Sequence, residues 1–313
     1  MDTYPKEKLN ILLIGFNRSD LIEKSLIRLS QLSHINIWIS IDGPRINNDK
    51  DLKENKKIKT ICKKFKIKSG NLRFSKENFG CRKGVIESIT WFFSNVKSGF
   101  ILEDDIEIHP EFLNIISYYL KKYYFNKNIA SISSHNSQKI IKKYGPTSDS
   151  FIMPTCRVWG WATWRDRWDE FLNLERKLKN KNLLKIFYFF PKEYRTFDSS
   201  LIIWNCINGY FDTWDYEWNL YHIKTNKGSI TPNGIFCLNH GFRKDAMHTK
   251  EKNSIPWKKM EYVKINNEFF KNVKIPDQNI KYEISSECGF LNVKSRRIEY
   301  LKFLKYFIKK SFS

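Results

Sequence analysis

The sequence predicts an α/β protein, with a mostly parallel central sheet held between layers of helices. Three observations carry that expectation. Continuous apolar runs at 9–16 (LNILLIGF) and 35–41 (INIWISI) read as strands buried on both faces, as strands of a parallel sheet are. Stretches with helical spacing of apolar residues separate the strands, which is the alternation that winds a parallel sheet. Each strand-like run also stops abruptly at polar residues, the side on which such sheets bind ligands.

Taken in order, the run 9–16 is bounded by Asn17 and Arg18. Helical spacing at Leu21, Ile22, Ser25, Leu26 and Leu29 predicts a helix over 20–32. The strand 35–41 is stopped by Asp42-Gly43-Pro44, a turn sequence. Residues 51–66 read as a basic helix, 71–74 as a short strand, 80–94 as a helix, and 99–102 as a strand running straight into Glu103-Asp104-Asp105. Pro110 opens a helix through 124, with Glu111 in its first turn, where the helix dipole favours an acid. A strand near 129–133 follows. Over the first 130 residues this is a Rossmann-like alternation.

The second half is less regular. CRVWGWATWRDRW (156–168) places Trp159, Trp161, Trp164 and Trp168 close together and is read as a rigid loop whose aromatic faces, with Arg165 and Arg167, line a sugar pocket; plain core is the competing reading. Helices are expected over 197–208 and around Asp215 and Glu217, then strand and turn over 229–242. No Pro/Gly/Ser linker divides the chain, so one domain over 1–275 and a basic tail over 276–313 are expected.

Lys and Arg number 55 against 33 Asp and Glu in 313 residues, a net charge of +22 that points to a polyanionic neighbour: nucleic acid, an anionic membrane surface or a phosphorylated ligand. The basic residues are spread along the chain without a recognised binding motif, which argues against nucleic acid. No apolar run is long enough to span a bilayer, and the N-terminus lacks the tripartite pattern of a signal peptide. Six cysteines without a CxxC pair suggest neither zinc nor disulfides, and the expected compartment is the cytoplasm.

The acidic triplet Glu103-Asp104-Asp105 is the most informative motif. Carboxylates gathered at the end of a buried strand repel one another unless a cation is shared, and a hard divalent ion bridging to a diphosphate would supply one. A solvated acidic turn is the alternative. Asp42 reads either as an Asp-Gly turn or as an acceptor for a nucleobase or ribose, and Asn17-Arg18 either as a helix cap or as ligand-facing groups. Asn78 is a further polar group at a strand end. Asp215, flanked by tryptophans, suits a general base, because apolar walls raise a carboxyl pKa toward neutrality; a helix-start carboxylate is the alternative. His248 is read as a structural histidine or a ligand for metal or diphosphate.

Taken together, NILLIGFNR, ISIDGP, ENFGCRKGV, FILEDDIEIHPEF, WGWATW and TWDYEW resemble the glycosyltransferases of the GT-A fold, family 2 enzymes among them. More closely they resemble bacterial nucleotide-sugar transferases related to N-acetylglucosaminyltransferase I, over about residues 8–250. The resemblance implies a metal-dependent, inverting hexosyl- or N-acetylhexosaminyltransferase that uses a nucleotide-diphosphate sugar, by analogy a UDP-sugar. It implies Mn²⁺ or Mg²⁺ on Asp105, with Asp104 and Glu103 facing the donor's ribose and sugar and Arg18 and Asp42 at the nucleotide; beside these, Asn17, Asn78, Arg82, Trp159 and Trp161 are candidates for the donor site and His248 for the metal. Asp215 is the implied base, and Glu217 its rival, because N-acetylglucosaminyltransferase I carries two adjacent acids before its Trp where this chain has Asp215-Tyr-Glu217. The expected lack of a transmembrane anchor at the N-terminus is another departure from that pattern.

In the tail, Tyr300, Leu301, Phe303, Leu304, Phe307 and Ile308 share one helical face, and Lys302, Lys305 and Lys309 the other. A basic amphipathic helix over 294–313 suits an anionic membrane surface, hence a peripheral location on the inner face of the cell membrane and a glycan or glycolipid acceptor of the surface-polysaccharide or lipopolysaccharide type. A helix docked on the domain is the alternative. Among rival functions, a nucleotidyltransferase would show a Gly-rich phosphate loop, which GFNRSD is not. A non-enzymatic nucleic-acid-binding protein is the other.

Overall fold

The structure, a computed structural model, describes residues 8–136, 150–241, 273–275 and 302. The first half alternates as expected: β1 (Leu9–Gly15), α1 (Ser19–Ser30), β2 (Ile35–Ile41), α2 (Asp49–Lys64), β3 (Leu72–Phe74), α3 (Gly80–Asn95), β4 (Ser98–Glu103), β5 (Ile106–Ile108), α4 (Pro110–Lys122) and β6 (Ile129–Ser133). The second half adds β7 (Ser150–Met153), β8 (Trp161–Trp164), α5 (Arg165–Leu178), α6 (Leu183–Phe189), α7 (Phe197–Ile207), α8 (Asp215–Thr225), β9 (Gly228–Pro232), β10 (Cys237–Asn239) and β11 (Val273–Lys274).

Nine of these strands form one sheet in the order β11-β7-β9-β6-β8-β4-β1-β2-β3. Five neighbouring pairs are parallel (β1 with β2 and β4, β2 with β3, β6 with β9, β7 with β11), and β8 enters antiparallel between β4 and β6. The α/β class and the mostly parallel sheet are therefore as expected.

The unbroken apolar run of β1 has a direct cause. Ile11 and Leu13 face a core shared with α1, α2 and α4, while Leu12 and Ile14 face a second core shared with α3, α5 and α8. Successive residues of a strand point to opposite sides, so a strand covered on both faces needs apolar residues at every position.

One expectation is corrected. The segment holding Trp161 is not a pocket-lining loop but strand β8 followed directly by α5. Trp161, Trp168, Trp214 and Trp218 are buried together, with Trp161 and Trp218 ring centroids 5.0 Å apart. Burying indole faces against one another removes far more apolar area from water than a sugar-lined surface could. Arg165 and Arg167 serve the fold as well. Arg165 donates to the Val96 carbonyl, and Arg167, fully buried over the Trp164 ring, donates to the carbonyls of Tyr123, Tyr124 and Asn126 just beyond α4. They satisfy backbone acceptors that the end of a helix leaves open.

Among the described residues no helix is long and apolar enough to cross a membrane. The amphipathic pattern of 294–313 lies outside the described residues except at Lys302, whose ammonium pairs with Asp198 of α7 at 2.6 Å.

Candidate active site at the ends of β1 and β4

After β1 the chain moves outward through β2 and β3, then returns to place β4 on the other side of β1. The strand order reverses there, and the crevice beyond the carboxyl ends of β1 and β4 is where sheets of this kind bind ligands. A cavity of about 170 Å³ opens at that point, lined by Phe16, Arg18, Asp42, Arg45, Asn78, Cys81, Glu103, Asp104 and Asp212 among others. Gly15 ends β1 without a side chain because a Cβ there would lie 2.6 Å from the Ile22 methyl and 3.4 Å from an Asp104 carboxylate oxygen.

Glu103 and Asp104 of the acidic triplet line this cavity, Asp105 lies on its α1 side, and the cation that Asp104 and Asp105 share is Arg18. The guanidinium Nε donates to Asp104 Oδ2 at 3.1 Å, Nη2 to Asp104 Oδ1, and Nη1 to Asp105 Oδ2 at 3.0 Å. Burial works against the charge on Arg18, yet Asp104 and Asp105 hold the guanidinium more firmly protonated than usual. Burial also pushes the Glu103 and Asp104 carboxyls up, with neighbouring carboxylates adding to the effect and Arg18 opposing it. Among the described residues the Glu103 side chain makes no hydrogen bond or ion pair, so one guanidinium faces three acids.

Asp42 belongs to the same edge but is fully engaged. Its oxygens accept from the backbone amides of Gly43, Phe79 and Gly80 and from the Asn78 amide, at 2.9–3.1 Å. Burial raises its pKa against these donors. Its role here is to tie the end of β2 to the start of α3, and Asn78 completes the tie by donating to the Gly43 carbonyl. Asn17 turns away from the crevice and donates to Asp51, a buried carboxylate that Arg45 grips through Nε at 2.7 Å and Nη2 at 3.0 Å. Hydrogen bonding to Arg45 lowers the Asp51 pKa to about 2.

Asp215 is the first residue of α8, half-buried, with a hydrogen bond from the Thr213 hydroxyl. It lies near enough to Glu103 to raise that carboxyl's pKa further. Glu217, the rival base, is fully buried and clamped by Arg82, whose Nη2 also reaches Glu175 at 2.8 Å. Burial pushes the Glu217 pKa up to about 7. Arg82 and Glu217 thus neutralise each other inside the protein and do not face the cavity. Trp159 stacks on His135, ring centroids 5.2 Å apart, and Trp161 lies in the core. His248 lies outside the described residues.

Sequence reasoning missed Asp212. Its two oxygens accept from the amides of Cys81 and Arg82 at 2.8 and 2.7 Å, so Asp42 and Asp212 between them satisfy the first turn of α3 at the cavity wall. No local signal marks that role, because the helix and its cap are 130 residues apart. Cys81 sits among Glu103, Asp212, Asp215 and Asp105, and burial together with these acids holds its thiol protonated and unreactive.

Among the described residues no three acidic, histidine or cysteine side chains converge as a metal cage. An ion of the Mg²⁺ or Mn²⁺ type beside a nucleotide takes one or two carboxylates, with waters and phosphate oxygens completing the shell. Asp105 supplies such a carboxylate, and the antiparallel pairing of β5 with β10 brings Gly241 against it; a Cβ at Gly241 would lie 2.2 Å from Asp105 Oδ2. A second cavity, of about 250 Å³, opens on the α1 side of Asp104 and Asp105, bordered by Lys24, Arg28 and His240. No protein-family model matches the chain, and a search of curated proteins gave no match.

Proposed function

We propose that the chain is a metal-dependent glycosyltransferase of GT-A type, moving a hexosyl or N-acetylhexosaminyl group from a nucleoside diphosphate sugar to a hydroxyl of a glycan or glycolipid, with inversion at the anomeric carbon. The observation that carries this reading is the acidic triplet of β4 meeting Arg18 at the point where the strand order reverses, beside a cavity, with Asp215 near by.

In the reaction the anomeric C–O bond to the diphosphate breaks while a new bond forms from the acceptor oxygen, and the nucleoside diphosphate leaves carrying the electron pair. A divalent cation, when bound, offsets the charge that builds on that diphosphate. Asp105 is the carboxylate assigned to hold it in this reading. Arg18 and Arg45, both lining the cavity, supply positive charge for the phosphates. Asp215 takes the acceptor hydroxyl's proton, a task that suits a half-buried carboxylate beside other acids. Glu217 takes no part in this reading, since Arg82 occupies it.

The test is thermal stabilisation by a panel of nucleoside diphosphates, each with and without Mn²⁺. A shift that requires both ligands and disappears in Asp105→Ala is the expected result. Asp215→Asn should then retain that shift while losing transfer. A protein that responds to no nucleotide–metal pair is not this enzyme.

A further inference from the structure

The position of Arg18 says more than that the acids have a partner. Its Nη1 holds Asp105 Oδ2 at 3.0 Å, and Asp105 is the carboxylate to which the proposed function assigns the metal. The other two donors of the same fork grip both oxygens of Asp104, whose side chain is buried. A divalent ion arriving alone must therefore either displace Arg18 from Asp105 Oδ2 or share that carboxylate with it. It must then sit beside a guanidinium that Asp104 keeps in place, and two like charges at such separation in a partly buried site repel strongly. A diphosphate removes that penalty, because its oxygens accept from the freed Nη1 and ligate the ion at once.

We propose that Arg18 is an internal counter-ion for the acidic triplet, which keeps divalent metal alone from binding and couples metal binding to diphosphate binding by moving from Asp105 to the diphosphate. This rests on the reading of the crevice as a nucleoside diphosphate sugar site. Arg18 acts here as a positioning residue: the free protein holds its own cation where the metal goes, and the substrate's phosphates exchange one for the other.

The experiment measures Mn²⁺ binding to the full chain by calorimetry at about pH 8, alone and with saturating UDP or GDP, in the wild type, Arg18→Met and Arg18→Lys. In the wild type the nucleotide should tighten Mn²⁺ binding about tenfold or more, and Mn²⁺ should tighten nucleotide binding by the same factor, as linkage requires. In Arg18→Met, Mn²⁺ alone should bind about tenfold more tightly than to the wild type, with most of the coupling lost. It should also raise the variant's melting temperature by more than the wild type's, because the ion replaces the missing charge between buried carboxylates. Arg18→Lys keeps a charge but not the fork that spans two carboxylates, so its Mn²⁺ affinity should fall between the two. If Arg18→Met does not fold, tighter Mn²⁺ binding by Arg18→Lys than by the wild type carries the point alone.

Metal and nucleotide binding together in the wild type, with Mn²⁺ affinity unchanged by either substitution, overturns the role of Arg18 and leaves the transferase reading standing. No Mn²⁺ or nucleotide binding by any variant overturns both.

Discussion

Arg82 stands where α3, α5 and α8 meet, and its guanidinium is shared by Glu175 and Glu217. Both carboxylates are nearly or fully out of water, with side-chain exposures of 8% and 0%. Buried ions of this kind contribute modestly as a set, but removing one member strands the others without a counter-charge. Arg82→Met should therefore cost about 3–5 kcal/mol of folding stability, read as a lower urea midpoint. Glu217→Gln keeps the volume and an acceptor for Arg82, so a loss of about 1–2 kcal/mol is expected, with kcat for the proposed transfer intact. A collapse of kcat at unchanged stability in Glu217→Gln would instead make Glu217 the base and Asp215 the bystander. The two acids lie two residues apart, yet the first stays half-open and the second is sealed behind Trp218 and Arg82. Their order in the sequence does not reveal which is which; the burial of α8 decides it.

At the scale of elements, α3 shows how the crevice is walled. The amides of Phe79 and Gly80 go to Asp42, and those of Cys81 and Arg82 to Asp212, so two carboxylates complement the positive end of the helix. Gly80 has φ +77°, and a Cβ there would stand 2.7 Å from Asp212 Oδ2. Asp212→Ala should cost about 1 kcal/mol, a fall of about 2–4 °C in melting temperature for a domain of this size. Gly80→Ala should cost about 1–2 kcal/mol for its left-handed backbone, plus a clash that Asp212→Ala relieves. The double variant should thus lose less than the two singles together, and strict additivity would show that Gly80 and Asp212 do not press on each other. Helix α3 itself was legible because Val85, Ile89, Phe92 and Phe93 repeat at helical spacing and face one core. Its caps were not, since contacts across 38 and 130 residues leave no periodic trace. β8 was misread for a related reason. Trp161 faces one core while Ala162 and Trp164 face the other, and with both faces covered there is no alternation to separate a strand from an aromatic loop. The acidic triplet was legible by its place after GFIL, whereas Arg18, its partner 86 residues away, read as a ligand-facing group.

For the whole molecule, titration sets two groups of buried residues against each other. His222 is fully buried, with Nδ1 at 2.9 Å from the Trp218 carbonyl and Nε2 at 2.8 Å from the Ser131 hydroxyl. A carbonyl only accepts, so Nδ1 carries a proton; with burial lowering its pKa the ring is neutral near pH 7, and Nε2 then accepts from Ser131. Burial lowers its pKa to about 4, with Lys227 adding to the effect, and burial lowers that of His135 to about 3. Both fall below the unfolded value of about 6.5, so the unfolded chain takes up protons that the fold refuses. The stability they contribute is complete above about pH 6.5 and is lost as pH falls toward 4. Glu217 has the opposite sign: its pKa of about 7 lies above the unfolded carboxyl, so its contribution is complete below about pH 4.5 and is lost as pH rises through 7. The wild-type slope is thus a difference of opposed terms and identifies neither. Comparison with His222→Gln isolates one of them, because the amide can serve both hydrogen bonds without titrating. The variant should be less stable than the wild type at pH 7, and the gap should narrow by about 2 kcal/mol by about pH 4.5, where only the wild type bears the cost of its neutral imidazole. Urea unfolding midpoints at successive pH values measure this directly. A constant gap would mean that His222 is protonated inside the fold, and the Ser131 hydrogen bond would then run from the ring to the hydroxyl.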